Sequence, residues 1–487
     1  MQPTIEQVFS SIPSRFRTDK AGDAKALIHF SFTDGIQFTV EVNGGKCTVN
    51  AGLTGEPICV VESKSETYIQ LETGILNPQM ALMSGEVKVS DLGEMLRFSK
   101  WFRKFGGATE TVNEKTVRPK SVGPLAGYRI LDFTKLLPGP LATLWLAQQG
   151  AEVIKVEDPS SPDPIRDYPP LKDGVSVYNS ALNNGKQSFA IHFRTEEGKA
   201  ILHQLVKDMD VVIEQFRPDV MKVFGLDYQT LKAINPRIIM VSITGYGQTG
   251  PMAHFPGHDL NYLSYSGILD GLRDSNGTPV IPTSQLADVA GGSMMALNAV
   301  TLALLHRERT GEGQHIDVAM TNVLPYLHSL RWAEESATDY FAGQLSGKMA
   351  CYNVYRCQDG KHVSLGALEP KFWKRFCSLV AHPEWEGRIL EANQSALIAE
   401  VAALFSSNKM QYWVDKLEKE EVCFSPVLTL SEAANHRQFQ QIGFPAPLGN
   451  CTTWPAAPLG QDNFTILQSL GISVEEIDQL KQNGVLE

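Results

Sequence analysis

The sequence predicts a small α+β domain followed by a larger α/β domain on a parallel sheet, with a second small α+β domain near the C-terminal end. Three observations carry this. Short alternating strands fill residues 26–61, a polar stretch containing Gly and Pro occupies 106–124, and strand–helix–strand alternation begins directly after it. At 487 residues the chain is about three times the usual length of one domain, so more than one core is expected.

Taken in order, "IEQVFSSIPSRF" reads as an amphipathic helix. "LIHFSFT", "IQFTVEV" and "CTVNAGL" alternate apolar and polar side chains between Asp34-Gly35 and Asn43-Gly44-Gly45 turns, which predicts an antiparallel sheet. "TYIQLETG", "QMALMSGEVKV" and a last helix, "LGEMLRFSKWF", complete a domain over residues 1–105. The stretch "GGATETVNEKTVRPKSVGP" has too few apolar residues for a core and reads as a linker over 106–124. Beyond it, "YRILDFT" is a continuous apolar run, "PGPLATLWLAQQG" a helix opened by Pro and closed by Gly150, and "AEVIKVE" a second buried strand. The pattern recurs in "SFAIHF", "TEEGKAILHQLVKD", "DVVIEQF" and "LKAINPRIIMVSITGYG". Such alternation requires crossover helices and a parallel sheet. A large domain is therefore expected over 125–340, rejoined by 446–487. The strand pair "NVYRCQDGKHVSLGAL" and the helices after it form a small α+β domain over 341–445.

Composition narrows the function. A net charge of −11 excludes a general nucleic-acid binder, so an anionic ligand needs a local basic pocket. The seven cysteines (47, 59, 351, 357, 377, 423 and 451) are odd in number and form no C-x-x-C pair. Reduced thiols in an intracellular protein are expected. Cys351 and Cys357 lack the His or Cys cluster that completes a metal site. The N-terminus has no charged segment followed by an apolar run, and no apolar stretch approaches the roughly 18 to 20 residues of a membrane span. The terminal "GVLE" is not a peroxisomal address. The expectation is a cytoplasmic protein without a membrane span.

Several residues invite two readings each. His258, beside Asp259 in "GHDLNYLSYSG", is either an acid/base group near neutrality or the cap of a turn. Asp288, in "QLADVAGGSMMALNAV", is a reactive carboxylate or a helix cap. Arg217 in "QFRPD" and Lys186 in "NNGKQS" stand just beyond strands, where a ligand crevice forms. They are phosphate donors, or else a surface ion pair with Asp219 or Glu214 and a solvated turn, respectively. The helix start "PGPLAT" offers N–H groups to a pyrophosphate or is simply a rigid entry. Alone, Asp259 and Glu369 (in "GALEPKFW") are solvated charges and Tyr262 is a packing residue. Met80, Met83, Leu92, Met95, Leu96 and Phe98 have the spacing of a core.

Two resemblances weigh these alternatives. Residues 1–105, most specifically "GILNPQMALMSGEVKVSDLGEMLRF", resemble the sterol carrier protein type 2 family. This implies a mixed sheet with helices over one face, enclosing an apolar tunnel for a fatty acyl, acyl-CoA or sterol-like ligand. From Leu125 onward the chain resembles the family III CoA-transferases and, within them, the branch of alpha-methylacyl-CoA racemase. The residues are "LLPGPLATLWLAQQGAEVIKVE", "IEQFRPDVMKVFGL", "ITGYGQTGP", "GHDLNYLSYSGIL", "DVAGGSMMALNAV", "RTGEGQHIDVAM" and "GALEPKFW". The resemblance implies a Rossmann-like large domain, a small α+β domain and two chains interlocked as rings, hence a homodimer. It implies an acyl-CoA thioester substrate and no cofactor beyond the CoA that the substrate carries.

In site residues, the resemblance implies His258 and Asp288 as the acid–base pair, with Glu369 as a carboxylate from the small domain. Asp259 is to orient His258, Tyr262 to lie near the thioester, and Arg217, Lys186 and Gly257 to hold CoA. Ala290, Gly291 and Gly292 are small enough to admit the substrate to backbone N–H groups that stabilise an enolate. The family's transferases instead use the aspartate at the position of Asp288 as a nucleophile, forming an acyl anhydride. They typically lack the histidine and carry a glycine-rich loop near the start of the small domain. This chain has His258, and "GALEPKF" has no glycine run, so the racemase is favoured. A lipid or acyl-CoA carrier with an inactive enzyme half is the remaining alternative, opposed by intact His258, Asp288 and Glu369. The fusion departs from the usual single-domain racemase and leaves the acyl chain open. A tethered carrier domain raises the local substrate concentration without new contacts at the active site.

Overall fold

A computed structural model describes residues 3–16, 21–22, 24–72, 81, 85–99, 101–102, 122–172, 174–274, 276–336, 344–442 and 456–486. The chain divides into two compact units, 1–117 and 118–487, with the boundary inside the polar stretch.

The first unit carries five strands: β1 (Ala26–Phe32), β2 (Gln37–Asn43), β3 (Lys46–Ala51), β4 (Cys59–Ser63) and β5 (Val87–Val89). Their order is β3-β2-β1-β4-β5, and only the β1–β4 pair is parallel. Alternation fixes which side is buried, and the aromatic residues of that side meet the first helix, Ile5–Ser10. There Phe9 stacks on Phe38 and makes edge contacts with Phe30 and Phe32. Phe98 is buried in this core and Met95 packs against it. Met80, Met83 and the side chains of Leu92 and Leu96 lie outside the described residues.

The second unit is built on a parallel sheet of six strands: β6 (Arg129–Asp132), β7 (Glu152–Glu157), β10 (Gln187–Ala190), β11 (Val211–Glu214), β12 (Ile239–Thr244) and β13 (His315–Ala319). A two-residue hairpin, β8 (Leu171–Lys172) and β9 (Val175–Ser176), lies between β7 and β10. The sheet order is β10-β7-β6-β11-β12-β13, all parallel. In order of appearance this is 3-2-1-4-5-6, a doubly wound sheet that reverses direction between β6 and β11. Both faces are covered, so the strands read as nearly unbroken apolar runs. Ile130, Val211, Val241 and Val318 pack with the helices Pro138–Gln148 and Met295–Thr310 on one face. Leu131, Ile154, Phe189 and Val212 pack with Glu196–Val206 on the other.

The end of the chain returns to that second face. Ile466, Leu467, Ile477 and Leu486 join its core, and the β10 amides of Ser188 and Ala190 donate to Asp462 and Asn463. Between the sheet and this return, β14 (Tyr352–Arg356), β15 (His362–Gly366) and β16 (Phe424–Pro426) form an antiparallel sheet. Its core contains Trp373, Phe376, Phe405 and Trp413 from three helices, together with Cys351 and Cys357.

One expectation is corrected here. By length and composition, the helical run Ala287–Thr310 is apolar enough to cross a membrane. Leu, Val, Ala and Met give it that hydropathy, and its Ala296, Val300, Ala303 and Leu304 lie in the core against the sheet.

Candidate active site

In doubly wound sheets, ligands bind beyond the carboxyl ends of the strands, at the point where strand order reverses. A cleft of about 560 Å³ lies there. Leu136 and Pro138 after β6, Gln215, Phe216 and Arg217 after β11, and Gly245 and Tyr246 after β12 form its walls. Gly257, His258, Asn261, Tyr262 and Asp288 complete the lining.

His258 occupies the N-cap of the helix Asp259–Tyr265 with an extended backbone. Its amide donates to Asn261 Oδ1 at 3.0 Å, and its carbonyl accepts from the Asn261 amide at 2.8 Å. The backbone thus caps the turn while the exposed imidazole lines the cleft. Tyr262 supports this arrangement from one turn further on, where its hydroxyl donates to the Gly257 carbonyl at 2.5 Å. A Cβ on Gly257 would lie 2.7 Å from the Tyr262 ring, so the ring fits only against glycine. The Tyr262 hydroxyl is pushed above the usual phenol range by burial, then by the Asp288 carboxylate.

Asp288 stands at the start of a π-helical stretch, Ala287–Met294, that runs into the helix Met295–Thr310. Widened turns of this kind are rare and frequent at functional sites. Burial, followed by the charge of Asp259, pushes the Asp288 carboxyl up to about 7.

Three expectations about the site change, those for Asp259, for Ala290, Gly291 and Gly292, and for Lys186. Asp259 does not hold the His258 imidazole: its Oδ1 accepts the amides of Ala287 and Asp288 at 2.7 and 3.0 Å, and among the described residues no hydrogen bond joins it to His258. Gly291 and Gly292 are buried away from the cleft. A Cβ on Gly292 would meet Pro138 Cβ at 2.7 Å and one on Gly291 would meet the Met320 carbonyl at 3.2 Å, so their smallness serves helix packing. Ala290 is likewise outside the lining.

Lys186 is 5% exposed and wholly engaged. Its Nζ donates to Asp132 Oδ2 (3.1 Å), Thr143 Oγ1 (2.7 Å), Asn183 Oδ1 (2.8 Å) and the Pro140 carbonyl (2.8 Å), which leaves nothing for a phosphate. Burial depresses its ammonium. The helix start at "PGPLAT" is also occupied, because the Gly139 amide donates to Gln215 Oε1 at 3.1 Å. Glu369 is exposed at the N-cap of the helix Pro370–Leu379 and does not line the cleft of its own chain.

Arg217 differs from Lys186. It is exposed on the cleft wall and has no ion pair among the described residues. Glu214, one partner considered for it, is buried and accepts the Phe216 amide at 2.7 Å. Burial pushes its carboxyl up to about 7. The sequence reading missed Gln215, whose amide group ties the loop after β11 to that after β6: Nε2 donates to the Lys135 carbonyl at 3.0 Å. It missed Tyr246 too, although that residue lies within the quoted "ITGYGQTGP". Nothing in a single sequence distinguishes a bridging Gln from a solvated one.

The comparisons with known proteins agree with this architecture. Residues 125–458 match the model of CoA-transferase family III. The chain belongs to that family. Residues 7–103 match the SCP-2 sterol transfer family, so this family III member carries a sterol carrier domain at its N-terminal end. Among relatives of the family III part, acetyl-CoA:oxalate CoA-transferase of Acetobacter aceti is 36% identical over 332 residues, 66% of this chain and 85% of that protein. Human alpha-methylacyl-CoA racemase is 31% identical over 388 residues, 74% of this chain and 97% of that protein. The crystal structure of a CAIB/BAIF family protein from Brucella suis covers 72% of this chain and all of its own, with a TM-score of 0.62 and 28% identity. Family III thus includes a transferase and a racemase at comparable distance from this chain.

Proposed function

We propose that this family III protein interconverts the (R) and (S) forms of 2-methylacyl-CoA thioesters by proton transfer at the α-carbon, through an enolate. Its sterol carrier domain binds acyl or lipid chains. Inversion needs a base on one face of the carbon and an acid on the other. The observation that carries the reading is that the His258 imidazole lines the same cleft as the Asp288 carboxyl, which burial and then the charge of Asp259 push up to about 7. A raised carboxyl suits proton exchange, whereas a carboxylate nucleophile acts only in its ionised form. Arg217, free on the cleft wall, meets the phosphates of CoA. Glu369 enters this scheme only from a second chain, if two chains interlock as the resemblance implies.

The competing reading is a CoA-transferase with Asp288 as nucleophile, favoured by the similarity to the Acetobacter aceti enzyme. Incubation with single enantiomers in deuterated water decides between them. A racemase takes up α-deuterium, and His258→Ala and Asp288→Asn each lose inversion by about 100-fold or more while differing in which enantiomer still exchanges. Trapping of an acyl group on Asp288 by hydroxylamine, with transfer of CoA to a free carboxylic acid and no deuterium uptake, would sink the racemase reading.

A further inference from the structure

Glu214 ends β11 with a carboxyl that the sheet itself does not need. Val211, Val212 and Ile213 before it are buried and apolar, and Glu214 is only 2% exposed. Burying such a group is costly unless it is hydrogen-bonded. Among the described residues no ion pair joins it, and burial pushes it up to about 7. Its bonds lead to two places. On one side it accepts the Phe216 amide at 2.7 Å, inside the turn that leaves β11. On the other stands the hydroxyl of Ser242, its partner across the ladder on β12, which also meets Nε2 of His315 on β13 at 2.8 Å. A hydroxyl has one proton: given to the carboxylate, it leaves the oxygen to accept from the imidazole N–H. The His315 ring is in turn stacked on Tyr228, with centroids 5.5 Å apart. Side chains from three adjacent strands thus back one hydrogen bond to the Phe216 amide.

The turn held in this way carries Arg217. Gln215 reaches sideways from it to the loop after β6, with Nε2 on the Lys135 carbonyl and Oε1 on the Gly139 amide, while Arg217 lines the cleft. At Asp219 the backbone turns away in the left-handed region, with φ of 68°. We propose that Glu214 is the positioning residue of Arg217: it pins the turn 214–217 so that the guanidinium already faces the cleft when CoA arrives. This rests on reading Arg217 as the phosphate contact of CoA, and not on which reaction the cleft performs. A side chain mounted on a backbone fixed in advance has less freedom to lose on binding, so the pinned turn should appear as affinity for CoA.

The test uses the full chain and free CoA, with the dissociation constant read by isothermal titration calorimetry, so no turnover is needed. Glu214→Leu keeps a side chain of similar size and removes the acceptor. CoA should then bind about three- to ten-fold more weakly, the scale of one hydrogen bond. Glu214→Gln keeps an acceptor for the Phe216 amide and should stay within about two-fold of the wild type. In an Arg217→Ala background, Glu214→Leu should change the constant by less than about two-fold, because the residue it positions is gone. Wild-type affinity in folded Glu214→Leu, or an equal loss in both backgrounds, overturns the proposal. Ser242→Ala loosens the same support and leaves Glu214 in place. Hydrogen–deuterium exchange of the peptide spanning Phe216 should quicken in it by about two-fold or more, and unchanged exchange also overturns the proposal. Wild-type affinity in Arg217→Ala alone would instead end the reading of Arg217 as the phosphate contact, and the exchange result would still decide whether Glu214 holds the turn.

Discussion

Two cations that the sequence places beyond strands have opposite fates, and only Arg217, after β11, stands there, since Lys186 directly precedes β10. Lys186 is sealed among Asp132, Thr143, Asn183 and the Pro140 carbonyl, whereas Arg217 stands open on the cleft wall. A buried ion pair that loses one partner strands the other charge, at a cost of about 3–5 kcal/mol. Lys186→Met should accordingly destabilise the large domain by about that amount in denaturant titration, because the fully buried Asp132 is left without its countercharge. Arg217→Ala should leave the unfolding midpoint where it is and raise KM for acyl-CoA by about ten-fold or more, the scale of one charge-assisted contact to phosphate. An Arg217→Ala enzyme with wild-type KM would remove Arg217 from CoA recognition. From sequence the two residues look alike, since the partner that decides the fate of Lys186 lies 54 positions earlier.

At the scale of the element, the π-helical stretch decides where Asp288 stands. It is wedged between Pro138, at the start of a helix that also borders the cleft, and Met320. In Gly292→Ala the new methyl meets Pro138 Cβ at 2.7 Å and Met320 Sδ at 3.1 Å. The methionine can move aside but the ring of Pro138 cannot. The variant should lose about 1–3 kcal/mol of stability, and the displaced Asp288 should cut kcat by about ten- to a hundred-fold. A stability loss with unchanged kcat would uncouple the wedge from the chemistry. This element also marks the limit of what the sequence conveys. The run "ADVAGGSMMALNAV" is legibly helical, but small residues do not reveal whether the hydrogen-bond register is that of an α- or a π-helix. The buried strands β6, β7, β10, β11 and β12 were legible because burial on both faces makes them continuous apolar runs. The edge strand β13, with His315 and Asp317 exposed, has no such signature, and the three-residue β16 is too short to carry one. His258 and Asp288 were legible as residues. That Asp259 turns to the amides of Ala287 and Asp288 was not, because backbone amides are partners that every sequence offers at every position.

At the scale of the molecule, the two units have separate cores. The first closes around Phe9, Phe30, Phe38 and Tyr68, with buried Val8, Ile28 and Val40 beneath them, all within residues 1–117. Among the described residues, none of the buried side chains that build the cores of the second unit comes from this segment. A domain of about 100 residues with its own sheet and core is large enough to fold without help from a neighbour. Residues 1–105 expressed alone should therefore unfold in a single cooperative transition on heating, with coincident midpoints by near- and far-ultraviolet circular dichroism. If the sterol carrier domain supplies the enzyme half with acyl chains, the same fragment should bind a fluorescent fatty acyl-CoA saturably. Removing it from the full chain should then raise the substrate concentration needed for half-maximal exchange while leaving kcat unchanged, because a tethered carrier acts through local concentration. A folded fragment that shows no saturable binding, together with a truncated enzyme of unchanged KM, would reduce residues 1–105 to a structural appendage and leave the family III unit to find its substrate alone.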